Sequence, residues 1–148
     1  MAPSGYLGRG TVAVMRIAFA ADDENETTEA VLDHLAAEHE VIRLAQSESW
    51  PELGAAVGRA VVDGDADFGV VMCWTGTGTA IAANKVPGVR AALAWDAWIA
   101  AGARKWNDAN VLAMSLKRLA PDVAVEVTKA FLGVSEPDPD EAANIARL

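Results

Sequence analysis

The run Phe68-Gly69-Val70-Val71-Met72-Cys73-Trp74-Thr75-Gly76-Thr77-Gly78 decides the fold. Phe68–Cys73 is apolar throughout, with no polar residue at alternate positions. That is how a strand reads when layers of structure cover both its faces, as they do for the central strands of parallel sheets. A Thr-Gly-Thr-Gly turn ends the run, and an alanine-rich stretch follows whose composition predicts a helix over about 79–84.

Outward from this strand–turn–helix unit the same alternation repeats. Residues 12–20 read as a first buried strand that ends in the acidic turn Asp22-Asp23-Glu24. From Glu26 to about His39 the apolar positions Val31, Leu32 and Leu35 recur at helical spacing. A short strand at Val41–Leu44 precedes a helix that starts at Ser49 with Pro51 in its first turn and runs to about Asp63, where Gly64-Asp65 breaks it. Downstream, Val86-Pro87-Gly88 is a turn, Val89–Trp95 a fourth strand and Ala97–Trp106 a fourth helix. Asn110–Met114 reads as a fifth strand and Pro121–Leu132 as the last amphipathic helix. Five β-α units of this length predict one α/β domain, a three-layer, doubly wound, Rossmann-like five-stranded parallel sheet. Residues 1–14 read as a partly disordered leader, with Met15 an alternative start, 15–132 as the domain, and 133–148 as an acidic tail crossing the surface with a short helical end.

Composition narrows the partners. The 148 residues are 52% apolar and 22% charged, which suits a globular domain with its own core. A formal net charge of −9 argues against nucleic acid and anionic membranes as partners, because both need clustered Lys and Arg. A small anionic substrate stays open, since a few local groups can hold one. No uninterrupted apolar stretch reaches the ~18 residues of a membrane span. Cys73 is the only cysteine, so an intrachain disulfide and a cysteine-rich zinc site are excluded. A lone thiol suits a reducing compartment, and the expected location is cytoplasmic.

Doubly wound sheets bind ligands beyond the carboxyl ends of their strands, near the switch in strand order. That directs attention to Asp22–Asn25, Cys73–Gly78 and Trp95–Asp96. At Cys73–Gly78 the glycines let backbone N–H groups converge and the helix start adds positive potential, a combination that suits a phosphate or a developing oxyanion. A plain strand-to-helix turn, with Cys73 a buried core residue, explains the loop motif equally well on its own.

The wider pattern is more specific. Cys73-Trp74-Thr75-Gly76-Thr77-Gly78, Ile81-Ala82-Ala83-Asn84-Lys85, Gly88-Val89-Arg90-Ala91-Ala92 and Asn107-Asp108-Ala109-Asn110-Val111-Leu112-Ala113 occur in this order. Together with Ile17-Ala18-Phe19, the Asp22 turn and Trp50-Pro51, they strongly resemble ribose-5-phosphate isomerase B, a family that includes the galactose-6-phosphate isomerase subunits, over about 15–132. The resemblance implies interconversion of aldose and ketose phosphates through an enediolate, no metal and no organic cofactor, and a homodimer or tetramer with its active site between subunits. It implies Cys73 as the base between C1 and C2, a role for which a thiol beside N–H donors at a helix start is chemically suited. By the same resemblance Asp22 orients sugar hydroxyls; on the reading built from it Thr75 helps protonate oxygen, the loop residues Trp74, Gly76, Thr77 and Gly78 bind substrate, and Asp23 and Asn107 also contact hydroxyls, Asn107 from the neighbouring subunit.

Three departures from the family pattern bear on substrate. The Asp-His pair after the first strand is Asp22-Asp23 here. The His before the Asn-Asp block, which helps open the sugar ring, is Trp106, whose indole N–H only donates. The C-terminal arginines that clamp phosphate have no clear counterpart around Glu136–Glu141, and only Arg147 lies beyond. Arg104 and Lys105 either compensate or are solvated charges at a helix end. Trp106 either stacks on a sugar ring or packs with Trp98 at a subunit interface. Asp96 is an acid or base candidate and equally a helix cap, and His39 is expected at its helix C-terminus. The sequence therefore reads as an aldose–ketose isomerase for a small sugar or sugar phosphate with altered specificity, and ribose 5-phosphate is expected to be a poor substrate. Retained ribose-5-phosphate isomerase activity and an inactive sugar- or nucleotide-binding protein stand as alternatives.

Overall fold

A computed structural model describes residues 13–44 and 49–148; the sequence expectations for 1–12, the leader among them, lie outside the described residues. Among the described residues five strands and five helices alternate: β1 Arg16–Ala21, α1 Glu26–Glu38, β2 Glu40–Arg43, α2 Trp50–Val62, β3 Phe68–Cys73, α3 Thr77–Asn84, β4 Ala91–Leu93, α4 Ala97–Asn107, β5 Val111–Ser115 and α5 Pro121–Leu132. A 3₁₀ turn at Pro139–Glu141 and the short helix α6, Ala142–Ile145, follow.

The sheet is parallel throughout with strand order β2-β1-β3-β5-β4. The chain moves outward from β1 to β2, returns to β3 on the other side of β1, skips to the far edge for β4 and comes back to fill the gap with β5. The order therefore switches between β1 and β3, and a crevice opens where their carboxyl ends diverge. That puts Asp22 and Cys73 on the two sides of one opening.

Strand alternation divides the core. Ile17, Phe19, Val70, Met72, Leu112 and Met114 face one layer, packed with Val31, Leu35, Val127 and Phe131 from α1 and α5 and with Ala100 and Ala103 of α4. Ala18, Ala20, Val71, Val111 and Ala113 face the other, packed against Leu53 and Val57 of α2 and Ala80 and Ala83 of α3. Each fully buried large side chain contributes about 1.5–3 kcal/mol. The α2–α3 side is drawn in tightly: a Cβ on Gly54 would come within 2.7 Å of the Thr79 carbonyl, and one on Gly69 within 2.4 Å of Val57.

Differences from the sequence expectation concentrate at element ends. β4 is only three residues long rather than spanning 89–95, because Arg90 turns aside to bind Asp108 and the Gly88 carbonyl and Asp96 leaves the sheet to cap α4. α3 begins two residues earlier than its alanine-rich part suggests. At α1 the cap is Asn25, whose side chain accepts from Thr27 N–H and Thr28 N–H while Thr28 Oγ1 accepts from the Asn25 amide. Ser49 sits at the N-cap of α2, where its carbonyl accepts from the Leu53 amide, but its side chain makes no bond to the helix backbone, the hydroxyl pairing with Glu52 instead.

Candidate active site

Cys73 is the last residue of β3 and is only 4% exposed, yet its side chain borders a cavity of about 260 Å³ lined by Asp22, Trp50, Cys73, Trp74, Thr75, Thr77 and Gly78. The loop after it is shaped by Gly76, the N-cap of α3, with φ +79°. A side chain there would be strained by that backbone angle and would also press within 2.6 Å of Leu93 and 2.7 Å of the Met114 carbonyl carbon. The turn aims the Gly76 amide at the cysteine sulfur, 3.2 Å away. Thr79 Oγ1 lies 3.4 Å from the same sulfur and 3.3 Å from the Gly76 carbonyl, within reach of both with its single hydrogen. Donors directed at sulfur are what a thiolate needs when water is excluded.

The expected cradle of converging amides is partly spent. The Gly76 N–H goes to sulfur, and the Thr77 N–H goes to Thr75 Oγ1 at 3.3 Å. The first N–H with an intrahelical acceptor is that of Ala80, to the Gly76 carbonyl, which leaves those of Gly78 and Thr79 at the positive end of the helix. Gly78 has a second function the sequence did not reveal: a Cβ there would lie 2.9 Å from the Trp50 ring, so its absence seats that indole in the cavity wall. Thr75 and Thr77 share a hydroxyl–hydroxyl hydrogen bond of 2.6 Å at the mouth.

Asp22 closes the β1 side. Its amide donates to the Met72 carbonyl at 3.2 Å, and its Oδ1 is buried with no hydrogen-bond partner. Burial, and then the neighbouring Asp23 carboxylate, push the Asp22 carboxyl above its ordinary value. A buried acceptor without a donor is costly, and a ligand hydroxyl would satisfy it. Asp23 is engaged otherwise, its Oδ2 accepting from Trp74 Nε1 at 3.2 Å.

Two candidates do not join this cavity within the chain. A crossover helix runs antiparallel to its strands, so the end of α4 lies at the sheet edge opposite Cys73. Trp106 folds back over Gly102 and meets Trp98 edge to face at 5.5 Å, and Asn107 lines a separate groove of about 430 Å³ with Asn84, Arg90 and Leu148 among others. Arg104 is neither a phosphate ligand of this cavity nor a solvated helix-end charge. It is 3% exposed, binds Asp108 Oδ1 at 3.2 Å and the Ala109 carbonyl at 2.9 Å, and stacks 4.5 Å from the Phe68 ring. Asp96 caps α4 through the Ile99 amide at 2.8 Å, and His39 accepts from the Met15 amide at 3.1 Å, away from the cavity.

Four residues that sequence reasoning gave no role hold or flank the site. Trp50 forms a wall, and Ser115, at the end of β5, donates to the Trp74 carbonyl at 2.5 Å. On the loop after β5, Lys117 Nζ lies 5.0 Å from the centre of the Trp74 ring, and Arg118 borders an adjoining cavity of about 230 Å³ that shares Thr75 with the first. Strand order was the missing signal: β5 lies beside β3, so whatever follows Ser115 must surface next to whatever follows Cys73.

Fold and cavity together define a doubly wound α/β protein with a cavity at the switch point, a cysteine at its base and a glycine turn beside it. A family model described as Ribose/Galactose Isomerase matches residues 17–147. The chain belongs to that family. It is 42% identical over 86 residues to the putative sugar phosphate isomerase YwlF of Bacillus subtilis (strain 168), covering 58% of each protein. It is 39% identical over 83 residues to the D-erythrulose-4-phosphate isomerase of Pectobacterium atrosepticum, covering 56% of this chain and 55% of the relative. The matched stretches thus span a little over half the length of these curated relatives. The solved structure of Clostridium thermocellum ribose-5-phosphate isomerase B superposes with a TM-score of 0.79 at 30% identity, over 90% of this chain and 94% of that one.

Proposed function

We propose that this chain is an aldose–ketose isomerase that interconverts a small sugar or sugar phosphate through an enediolate, without metal or organic cofactor. The observation that carries the reading is the Cys73 sulfur, bordering the switch-point cavity with the Gly76 amide pointed at it from 3.2 Å.

The chemistry follows from that placement. Cys73, as thiolate, takes the proton from C2 of the open-chain aldose. The C–H electrons form the C1–C2 double bond, and the carbonyl electrons move onto O1, where amides at the start of α3 and the Thr75 hydroxyl face the charge. The same sulfur then returns its proton to C1 while the O2 proton passes to O1 by way of the Thr75 hydroxyl, so that O1 becomes the C1 hydroxyl and C2–O2 the ketose carbonyl. Asp22 accepts from a substrate hydroxyl. Relatives named as isomerases of different sugar phosphates support the reaction class and leave the sugar open.

The site is completed by a second copy. Trp95 and Trp98, 60% and 70% exposed at the β4–α4 edge, supply apolar surface for a homodimer or tetramer. In that assembly Asn107 and Trp106 of the neighbour reach the Cys73 cavity. Among the described residues no helix is long and apolar enough to cross a membrane, and the reading places the reaction in the cytoplasm.

The test is solvent-proton exchange at C2, followed by NMR in deuterated water with tetroses, pentoses, hexoses and their phosphates. Exchange with at least one sugar, lost in Cys73→Ala, is the expected result. A protein that binds a sugar but leaves every C2 proton in place is a binding protein and not an isomerase.

A further inference from the structure

Asp23, where the sequence departs from the family pattern, and Trp74 sit 51 positions apart and are bonded to each other: Trp74 Nε1 donates to Asp23 Oδ2 at 3.2 Å. A tryptophan on a loop tip, 54% exposed, ordinarily samples several rotamers. This one is held at three points. Asp23 fixes the edge of its ring, the Lys117 ammonium lies 5.0 Å from the ring centre, and its carbonyl accepts the Ser115 hydroxyl at 2.5 Å. Trp50 borders the same cavity and is fixed against Gly78. The cavity thus presents two stiff indoles, the buried unpaired oxygen of Asp22 and the Thr75–Thr77 hydroxyl pair.

From this arrangement we infer that Asp23 positions Trp74 as a stacking wall and that the cavity selects the C–H face of an uncharged, hydroxyl-rich sugar rather than a sugar phosphate. The inference deepens the isomerase reading and rests on it for the nature of the ligand. The charges near the mouth support it. Asp22 and Asp23 stand on the β1 side, where a phosphate would meet like charge. The Lys117 ammonium is engaged over the indole, where a cation–π contact holds it. Arg118 borders the adjoining cavity beyond Thr75. Indole faces bind the apolar face of a sugar while carboxylates and hydroxyls take its O–H groups, and neither needs charge on the ligand. Asp23 is a positioning residue here, acting through Trp74.

The experiment uses the full chain with Cys73→Ala, so that ligands bind without turnover, and follows indole fluorescence while tetroses, pentoses and hexoses and their phosphates are titrated at low and at high salt. At least one neutral sugar is expected to bind no more weakly than its phosphate, with affinity independent of salt. Adding Trp74→Ala or Asp23→Ala weakens that sugar roughly 3- to 10-fold, the span of one aromatic contact. Asp23→Asn, which keeps an acceptor for the indole N–H, restores it. Circular dichroism and thermal unfolding accompany each variant, and Trp74→Phe, which keeps a ring, covers the case in which alanine unfolds the loop. Phosphates binding tenfold tighter than neutral sugars in a salt-sensitive manner, no binding of any neutral sugar, or wild-type affinity in both Trp74→Ala and Asp23→Ala would each overturn the inference. C2 exchange in the wild-type protein separates the two readings. Exchange confined to phosphates removes the neutral-sugar slot and keeps the isomerase, whereas Trp74-dependent binding without exchange keeps the slot and removes the isomerase.

Discussion

The amide nitrogen of Gly76 lies 3.2 Å from the sulfur of Cys73, three residues back along the chain. This contact joins the end of β3 to the start of α3, the two elements to which the proposed mechanism gives the base and the oxyanion donors. Replacing the sulfur therefore separates catalysis from folding. Cys73→Ser keeps a small side chain in the same pocket but offers a much poorer base, and kcat is expected to fall by roughly 10²–10⁴-fold. Steady-state assays beside thermal unfolding check it, and a Tm within a few degrees of wild type with turnover intact would contradict the assigned base.

Gly76 itself is expected to be irreplaceable. Its φ of +79° strains any other residue, and a Cβ would meet Leu93 at 2.6 Å and the Met114 backbone at 2.7 Å. Gly76→Ala should destabilise by about 2–4 kcal/mol, and turnover should be lost with it. Gly64→Ala is the matched control: φ is +84° but nothing lies within 4 Å, so only the backbone term of about 1 kcal/mol remains. Equal losses in urea unfolding of the two variants would show that packing beneath the loop contributes nothing.

Arg104 carries a different kind of cost. Its guanidinium is buried between the Phe68 ring, Asp108 and the Ala109 and Val134 carbonyls. Removing it deprives the Ala109 and Val134 carbonyls of their side-chain donor and leaves Asp108 with Arg90 alone, and Arg104→Ala is expected to cost about 3 kcal/mol, or roughly 8 °C in Tm at this chain length. Arg104→Lys recovers only part of this, because an ammonium cannot serve the same fork of partners. An Arg104→Ala variant as stable as wild type but with weakened phosphate binding would return this residue to the substrate.

The same residue shows what the sequence could and could not reveal. Helices, strands and the Cys73 loop are legible because they depend on local spacing and on glycines between short polar residues. The true surroundings of Arg104 are not, since Phe68, Phe131 and Val134 reach it only through the sheet order. The contacts of Trp106 with Gly102 and Trp98 within the chain are set by the helix, and they leave open what it meets in a second copy. The apolar run 89–95 reads as a longer strand than β4 because the ties from Arg90 to Asp108, 18 residues on, leave no local mark. The Asp23–Trp74 bond was invisible for the same reason, although both residues already stood out as candidates.

Asp22 makes stability depend on pH in a stated direction. Its folded-state carboxyl is raised above the ordinary aspartate range by burial and then by Asp23. A raised acid is held more comfortably protonated in the folded state, so its contribution is present below the unfolded value and is lost as pH rises through the folded one. Asp22→Asn removes that loss. The variant's Tm relative to wild type is expected to climb as pH rises through the acid range and to level off near neutrality, while KM for the sugar rises because the carboxylate acceptor is gone. A Tm difference that shrinks with rising pH would mean that the carboxylate is stabilised where it stands.

The placement of Asn107 at the far edge of the sheet from Cys73 leads to a mixing experiment. If each site takes Cys73 from one chain and Asn107 from its partner, then Cys73→Ala and Asn107→Ala proteins are each inactive, but exchange between them creates hybrids. A hybrid dimer holds one doubly altered site and one with both residues intact. With random pairing in a twofold-symmetric dimer, half the molecules are hybrids and about a quarter of all sites are whole, so activity should recover to about 25% of wild type. Recovery must follow the kinetics of subunit exchange and must be absent when a double variant is mixed with either single one. If the Asn107→Ala protein alone keeps full turnover, Asn107 has no place in the site. If both single variants are dead and mixing restores nothing, each site draws Cys73 and Asn107 from the same chain.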